Sequence, residues 1–535
     1  MTRNRKLLLS LIALTVVVAA VALALGQRKV ATQSKEKIAA ASPAQKAAAP
    51  SPNAVDSSLT KEIDQIIDGS ELKQGRLGVY VMSLSDGRMI YSRDNDRLFT
   101  PASNMKAYTT AVAIDSLGPD YRWRTSVYVE KQPDTNGNVN GDLVLYGRGA
   151  PDLISKTRGD APSLAKFAEQ LYAAGVRRVT GNIIGDESYF RGEMFGVGWQ
   201  WNDLQWYYGA EPSALSVDEN SIEVTMGPGA KVGDNASVAV SPNQNYVRLV
   251  NTGTTSDRDA PTSIGVLRDL SGNDLHVWGK FPTGGHAFSA FLSVHNPALW
   301  ATTLFKQALI ARGIKVDGEP RSRDFRVADK ERFDPQKAIE LASQESEPLS
   351  EIIRHTNKES DNLYAELILR TLGKERGSTA PDPDSKKNET RGDDEAGTAV
   401  VRAWLESKGI STRGLAIHDG SGLSRLDLIT PESTARLFAA MSQSTAATLY
   451  FDSLPVAGHD GTLAGRLKKV EGRISAKTGS LTYVHSLSGY ATTRTGERLA
   501  FSILCNDMTA DRPAIALIDE IAASIAEFGP LSNPR

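Results

Sequence analysis

The sequence predicts an α/β protein of the α+β type, in which helices flank an antiparallel sheet built from both ends of the chain. A hairpin-like stretch starts at Arg76, further strand-like stretches follow residue 473, and helical stretches lie between them. Residues 122–288 differ from both, because they contain many short β-type runs broken by Gly, Pro, Asn and Asp. This order favours one sheet with helices on its faces and a large, mainly β insertion.

The N-terminal residues form an export segment. "MTRNRKLLLSLIALTVVVAAVALALG" places basic residues before an uncharged apolar run of about 20 residues, which is just long enough to span a bilayer. Residues 1–26 are therefore expected to be a cleaved signal peptide or a membrane anchor, with the rest of the chain outside the inner membrane. Residues 27–57 are rich in Ala, Lys, Ser and Pro, which predicts a flexible linker.

The first ordered elements are a β-hairpin and a helix. "RLGVYVMSLSDGRMIYSRDND" has apolar strand residues on both sides of Asp86-Gly87, a strong turn pair. "TPASNMKAYTTAVAIDSLG" follows, with Pro101 suited to a helix start and Gly118 to its end. This helix carries Ser103 and Lys106 on one face, because residues three apart on a helix are neighbours.

Residues 58–121 and 289–535 are predicted to form one domain, interrupted by the insertion at 122–288. Helical patterns return after residue 288 and continue to about residue 373. A polar, Pro- and Asp-rich stretch around Asp382 is expected to be an exposed loop. "GRISAKTGSL", "SLSGYATT" and "LAFSILCND" are predicted strands, and "PAIALIDEIAASIAEFG" is a predicted final helix.

Composition excludes several classes of function. The chain of 535 residues has a net charge of −2, so no strong field favours nucleic acid. One cysteine, Cys505, rules out an internal disulfide. The seven histidines show no metal-ligand spacing, so a metal enzyme is not expected. The motifs described next require no cofactor.

Three short motifs carry the candidate chemistry. Ser103-x-x-Lys106 is weak alone, because the same spacing recurs at other serines, namely Ser34, Ser58, Ser70 and Ser163. Ser360-x-Asn362 lies between two helical stretches, where helix capping is a sufficient explanation. Lys477-Thr478-Gly479 lies in a predicted strand, where a solvated Lys beside a bulge Gly is an alternative. The order of the three along the chain is more specific than any one of them.

The ordered motifs are similar to those of the penicillin-recognising acyl-serine enzymes. The chain resembles the class C low-molecular-mass penicillin-binding proteins, the D-alanyl-D-alanine carboxypeptidases/endopeptidases. "TPASNMK", "ESDNLYAELILR", "HDGSGLSR" and "AKTGSLTYVHSLSGY" carry this resemblance, which extends from about Leu59 to the C terminus. It implies a penicillin-binding/β-lactamase-like transpeptidase fold.

The resemblance also implies roles for the site residues. Ser103 would be the nucleophile, Lys106 its base and Ser360 a proton relay. Asn362 would bind the peptide group of the substrate, and Lys477 and Thr478 its terminal carboxylate. Gly479 would leave room for the substrate against the strand. The backbone N–H groups of Ser103 and Ser480 would form the oxyanion hole.

Two other serine or histidine groups are weaker candidates. The Ser421 segment, "HDGSGLS", is not a nucleophile elbow and is expected to shape a loop beside the site. His459 and Asp460 are expected to form a tight turn.

The predicted function is a serine D-Ala-D-Ala carboxypeptidase, endopeptidase or both, inhibited by β-lactams and exported to the periplasm or the outer face of the cytoplasmic membrane. Its partners would be peptidoglycan peptides ending in D-Ala-D-Ala, with membrane contact only through an uncleaved N-terminal segment. A β-lactamase of the same fold and a non-catalytic wall-binding protein are the alternatives.

Overall fold

A computed structural model describes residues 54–71, 74–155, 162–242, 246–331, 333–380 and 391–529. The predicted export segment, most of the predicted linker and the centre of the predicted loop, residues 381–390, lie outside these ranges. The described residues include no helix that combines the length and apolar composition needed to cross a membrane.

The helices, in chain order, are α1 (Ala54–Asp68), α2 (Met105–Leu117), α3 (Ser163–Ala173), α4 (Pro297–Ala311), α5 (Phe325–Glu331), α6 (Leu349–Lys358), α7 (Asn362–Arg376), α8 (Asp393–Ser407), α9 (Pro431–Met441), α10 (Ala447–Ser453) and α11 (Asp511–Glu527). Helix α1 therefore begins within the last residues assigned above to the linker.

The strands, in chain order, are β1 (Arg76–Ser83), β2 (Met89–Arg93), β3 (Arg124–Val129), β4 (Asn138–Val139), β5 (Leu143–Tyr146), β6 (Arg178–Val179), β7 (Ile183–Asp186), β8 (Ser221–Gly227), β9 (Ser237–Ser241), β10 (Arg248–Asn251), β11 (Thr254–Ser256), β12 (Ser263–Arg268), β13 (Asp274–Pro282), β14 (Phe288–Ser293), β15 (Lys315–Val316), β16 (Pro320–Arg323), β17 (Ile339–Glu345), β18 (Ile474–Leu481), β19 (Val484–Thr492) and β20 (Arg498–Asn506).

The main sheet confirms the prediction that both chain ends build it. Its strand order is β18-β19-β20-β1-β2, and every neighbouring pair is antiparallel. Strand β1 is buried on both faces, with Val79 in the cluster beneath α1 and α11 and Tyr80 in the cluster beneath α9. Successive strand residues point to opposite faces, so an almost wholly apolar strand is sealed by helices on both sides.

A helical layer carries the other two motifs to this sheet. Helix α2 packs against α6 and α7, and α7 packs against α8. Residues 105–114 of α2 are all buried, which accounts for a sequence without a polar face. The Ser-x-Asn motif lies in the break between α6 and α7, as the sequence predicts.

The insertion is rich in short strands, as predicted, but its sheets extend beyond residue 288. Strands β16 and β17 form the two edges of a sheet of order β16-β7-β5-β3-β17, and β15 pairs with β6. Helix α4 packs on α3 and β7. The chain after residue 289 therefore does not return directly to the main sheet, and we propose that the insertion ends after Glu345.

Candidate active site

The turn that bears Ser103 is locked to the main sheet by a buried amide. Ser103 lies in a 3₁₀ turn, Ala102–Asn104, which leads directly into α2. Asn104 Nδ2 donates to the carbonyl oxygen of Lys477 at 3.1 Å and to Ser486 Oγ at 2.7 Å. Ser486 Oγ in turn donates to the carbonyl oxygen of Pro101 at 2.7 Å. These contacts fix the nucleophile turn against β18 and β19.

Ser103 and Lys106 are hydrogen-bonded, as their spacing predicts. Lys106 Nζ lies 3.0 Å from Ser103 Oγ, 2.5 Å from Asn362 Oδ1 and 2.8 Å from the carbonyl oxygen of Ser421. Ser103 is half-buried, whereas Lys106 is fully buried. The serine can therefore meet a substrate while its base stays out of water.

Burial lowers the pKa of Lys106 to about 8, although the carboxylates of Asp419, Asp361 and Glu366 act in the opposite direction. A buried ammonium loses its hydration, which disfavours the charged form. Lys106 is thereby brought close to the range in which an amine can accept a proton near neutral pH.

The Ser-x-Asn segment joins α6 to α7 in a strained conformation. Ser360 has a φ of 61°, in the left-handed region that residues other than glycine rarely adopt. Asp361 caps α7, since its Oδ1 accepts from the backbone N–H of Tyr364 at 3.0 Å. Asn362 Nδ2 donates to the carbonyl oxygen of Tyr208 at 2.7 Å, so this side chain links Lys106 to the insertion.

Lys477 contacts the second motif from β18. Its Nζ lies 2.9 Å from Ser360 Oγ and 3.0 Å from the carbonyl oxygen of Thr478. Burial, and then the charge of Lys106, lower the pKa of Lys477 well below its usual value. Two buried ammonium groups near one another repel, so the two lysines favour a state in which one of them is neutral.

The residues after Lys477 line the outer part of β18. Thr478 Oγ1 shares a hydrogen bond of 2.7 Å with Thr462 Oγ1. Ser480 is exposed, and its Oγ lies 3.2 Å from Nδ1 of the buried His485. The substrate contacts assigned to Asn362, Lys477, Thr478 and Gly479, and the oxyanion role of the Ser103 and Ser480 N–H groups, remain predictions.

Gly479 is required by the protein's own packing. A Cβ at this position would lie 2.2 Å from Ser486 Oγ, 2.8 Å from the carbonyl oxygen of Pro101 and 3.0 Å from the backbone nitrogen of Asn104. Gly479 therefore lets β18 approach the nucleophile turn closely. Glycine is therefore needed here for the protein's own packing, in addition to the room for substrate that the motif implies.

We expect Gly479→Ala to destabilise the protein by about 1–3 kcal/mol, the usual cost of overpacking. It should also slow acylation by penicillin, because the added methyl group displaces the turn that holds Ser103. Thermal unfolding and penicillin labelling measure the two effects. Gly496→Ala is a suitable control for the loss of a glycine, because a Cβ at this position would have no atom within 4 Å. Its φ of 84° means that the alanine adds backbone strain but no steric clash. Unchanged labelling and stability of Gly479→Ala would show that the turn tolerates the methyl group.

The Ser421 segment shapes the floor of the site, as predicted. The carbonyl oxygen of Ser421 accepts from Lys106, and its N–H donates to Glu366 Oε1 at 2.8 Å. Asp419 accepts from the N–H groups of Gly422 and Ser424, both at 2.7 Å. Asp460 accepts from the N–H of Val456 at 2.9 Å, which is consistent with the turn expected there.

The sequence interpretation missed Asn104, Ser486 and Tyr208. Asn104 had a detectable signal, because it is a polar residue between Ser103 and Lys106 at the start of a helix without a distinct polar face. Ser486 and the Tyr208 carbonyl had none, since their partners are more than 150 residues away in the chain.

Comparison with known proteins agrees with this geometry. Residues 59–525 match the model of the D-Ala-D-Ala carboxypeptidase 3 (S13) family. A D-alanyl-D-alanine carboxypeptidase of Actinomadura sp. (strain R39) is 33% identical over 490 residues, which are 89% of this chain and 86% of the relative. The D-alanyl-D-alanine carboxypeptidase DacB of Haemophilus influenzae is 26% identical over 433 residues, which are 79% of this chain and 84% of the relative.

The fold is also similar to a solved structure. The crystal structure of penicillin binding protein 4 (dacB) from Haemophilus influenzae superposes with a TM-score of 0.71 and 24% identity. The match covers 88% of this chain and 98% of that one. This likeness confirms the predicted penicillin-binding fold. The chain belongs to the D-Ala-D-Ala carboxypeptidase 3 (S13) family and is a serine peptidase of the hydrolase class.

Proposed function

We propose that this protein cleaves peptidoglycan peptides at D-Ala-D-Ala ends through an acyl-enzyme on Ser103. The observation that carries the proposal is the 3.0 Å contact between the half-buried Ser103 hydroxyl and the fully buried Lys106 amine. A serine hydroxyl becomes a useful nucleophile only beside a base, and a desolvated amine is a suitable one. The two relatives named above are D-alanyl-D-alanine carboxypeptidases by name, which supports the proposed substrate class.

The proposed acylation transfers one proton and exchanges one bond. Ser103 Oγ attacks the carbonyl carbon of the penultimate D-Ala while its proton passes to Lys106 Nζ. The carbon–nitrogen bond to the terminal D-Ala then breaks, and the leaving amine receives the same proton from Lys106 through Ser360 Oγ, which a hydrogen bond of 2.9 Å from Lys477 Nζ holds in place. Lys106 is thereby neutral again. Water later hydrolyses the ester, releases the shortened peptide and restores the Ser103 hydroxyl.

The substrate's own carboxylate would favour the protonation state that acylation needs, with Lys477 charged and Lys106 neutral. Near neutral pH we assign one proton to the Lys106–Lys477 pair, because burial and mutual repulsion disfavour two charges there. A carboxylate bound at Lys477 attracts this proton to Lys477. Lys106 is then neutral and able to accept the proton of Ser103.

The remaining contacts would hold the peptide in place. Asn362 Nδ2 uses one N–H on Tyr208, and an amide nitrogen has a second one for a substrate carbonyl. Thr478 would donate to the terminal carboxylate beside Lys477. The N–H groups of Ser103 and Ser480 would stabilise the oxyanion, where loss of one donor typically costs about 10²–10³ in rate.

This account predicts how acylation depends on pH. The pH dependence of the second-order rate constant for acylation by penicillin reflects the pKa values of groups in the free enzyme. If the lysine pair shares one proton, that proton is lost as the pH rises through about 8, the pKa of Lys106, and no charge remains to bind the carboxylate. The rate should therefore fall above about pH 8. Stopped-flow labelling across this range measures it. A rate that instead rises through the same pH would show that both lysines are charged near neutral pH and that Lys106 must first lose its own proton.

Two substrates separate carboxypeptidase from endopeptidase activity. The test supplies the purified full chain with a pentapeptide and with a cross-linked peptide dimer. Release of D-Ala from the first shows carboxypeptidase activity, and cleavage of the second shows endopeptidase activity.

Fluorescent penicillin separates the alternatives of the same fold. Long-lived labelling supports the peptidase, whereas rapid turnover of penicillin without stable labelling indicates a β-lactamase. No labelling and no product would contradict an enzymatic function and favour a wall-binding protein.

The site of action follows from the N-terminal sequence. We propose that residues 1–26 export the chain, so that the catalytic part works in the periplasm or on the outer face of the cytoplasmic membrane. Membrane contact would arise only through this segment if it remains uncleaved.

A further inference from the structure

His355 and two carboxylates, those of Glu219 and Asp361, form a cluster in the cavity beside Ser360, which a third carboxylate, that of Glu359, also lines. The cavity has a volume of about 540 Å³ and is lined by both Ser360 and Asn362. Glu219 enters it from the turn before β8, His355 from α6 and Asp361 from the start of α7. Glu219 is distant in the sequence from His355 and Asp361, so no metal-ligand spacing that joins all three was visible in the sequence.

His355 and Asp361 lie at a distance that suits two ligands of one metal ion better than a direct hydrogen bond. His355 Nε2 lies 3.6 Å from Asp361 Oδ2, beyond the roughly 2.7–3.2 Å of an N–H···O bond. Two ligands of one tetrahedral zinc ion, with bonds of about 2.0–2.2 Å, lie about 3.4 Å apart. Glu219, His355 and Asp361 each offer one ligand atom within 4.8 Å of the other two. This limit is wider than the spacing around zinc, so an ion would draw the groups closer together.

The imidazole nitrogen that faces this cluster lacks a hydrogen-bond partner. His355 Nε2 is buried from solvent and makes no hydrogen bond within the described residues. A buried nitrogen whose neighbouring carboxylate, that of Asp361, lies at 3.6 Å and beyond hydrogen-bond reach is uncommon and needs an explanation. A cation bound between His355 and the two carboxylates would supply one.

The ligands are held in place by neighbouring contacts, as metal ligands usually are. Asp361 uses Oδ1 to cap α7 and presents Oδ2 to His355. The His355 ring lies against the Tyr364 ring, with centroids 4.4 Å apart and the ring planes tilted by 39°. Glu219 has a φ of 54°, and Asn220 beside it anchors the turn by donating from Nδ2 to the carbonyl oxygen of Glu211 at 2.9 Å.

We propose that Glu219, His355 and Asp361 bind a zinc ion in the active-site cavity. Imidazole favours zinc over magnesium and calcium, which prefer oxygen ligands. Three protein ligands leave a fourth position for water. The ion would join the insertion, through Glu219, to the segment that positions Ser360 and Asn362.

The chain offers a matched comparison for this site. His459 Nε2 lies 3.6 Å from Glu471 Oε1, the same distance as in the proposed site. His459 and Glu471 are both more than half exposed, and they belong to no group of three potential ligands within the described residues. This pair therefore shows what a histidine–carboxylate contact binds without a third ligand.

The test measures zinc binding to the purified full chain after removal of metals, in competition with a chromogenic chelator and without substrate. We expect one zinc ion per chain. His355→Gln and Glu219→Gln should each weaken binding by more than about 100-fold, the upper range for loss of a mere supporting contact. His459→Gln should leave binding unchanged, and magnesium should not compete. Circular dichroism checks that each variant is folded.

Three results would overturn the proposal. They are no stoichiometric zinc in the wild-type chain, equal affinity of the wild-type chain and both ligand variants, and loss of binding in His459→Gln alone. The first would mean that the cluster holds only a proton on His355. Because no step of the measurement needs acylation, these results are independent of whether Ser103 is the nucleophile.

Discussion

Replacing Lys106 by alanine is expected to slow acylation of Ser103 by about 10²–10⁴-fold, the usual contribution of a general base. Lys106 Nζ is the group that lies 3.0 Å from Ser103 Oγ and can accept its proton. The substitution also leaves Asn362 Oδ1 and the Ser421 carbonyl without the partner they share, at a cost of about 1–3 kcal/mol for a buried unsatisfied group. Labelling with fluorescent penicillin, followed over time, measures the rate.

A second variant separates loss of the base from loss of the fold. Lys106→Met fills most of the volume that alanine leaves empty and cannot accept a proton. Both variants should unfold cooperatively, and fluorescent penicillin should label both of them slowly. Lys337→Met, at a side chain that is 85% exposed, controls for removal of a lysine. Near-normal labelling of folded Lys106→Met would assign the base to another group, and Ser360 with Lys477 is the alternative that the geometry offers.

Lys477→Gln is expected to impair peptides with a free terminal carboxylate much more than peptides whose carboxylate is amidated. A charge-assisted hydrogen bond contributes about 1.5–3 kcal/mol, which corresponds to about 10- to 150-fold in binding at 25 °C. An amidated peptide should already be a poor substrate of the wild-type enzyme, because it does not draw the shared proton to Lys477. The substitution should change its cleavage little.

The two peptides distinguish two roles of Lys477. Cleavage of each by the wild-type and Lys477→Gln enzymes gives a ratio of kcat/KM for each peptide. A larger loss for the free carboxylate supports carboxylate binding. Equal losses on both peptides would show that Lys477 acts mainly on Lys106, and the carboxylate assignment would be wrong.

Local patterns were sufficient to predict the elements that carry the catalytic motifs. The spacing of Ser103 and Lys106 sets their hydrogen bond, because both lie at the start of one helical segment. The turn pair Asp86-Gly87 and the apolar residues on both sides of it specify the hairpin of β1 and β2. These features depend on residues that are close in the sequence.

Long-range pairing explains what the sequence interpretation missed. The residues of helix α4 and of strands β15–β17 have ordinary helix and strand propensities. Their local sequence does not indicate that these elements pack on the insertion rather than on the main sheet. Gly479 gave no sign that its missing Cβ makes room for Ser486 Oγ. The convergence of Glu219 with His355 likewise depends on how the insertion meets α6.

The central claim is that Ser103 forms the acyl-enzyme, and mass spectrometry of the penicillin-treated protein tests it most directly. Proteolysis of the adduct should place the added mass on the peptide that contains Ser103, and Ser103→Ala should carry none. An adduct on Ser360, Ser421 or one of the other Ser-x-x-Lys serines, Ser58, Ser70 or Ser163, would contradict the account.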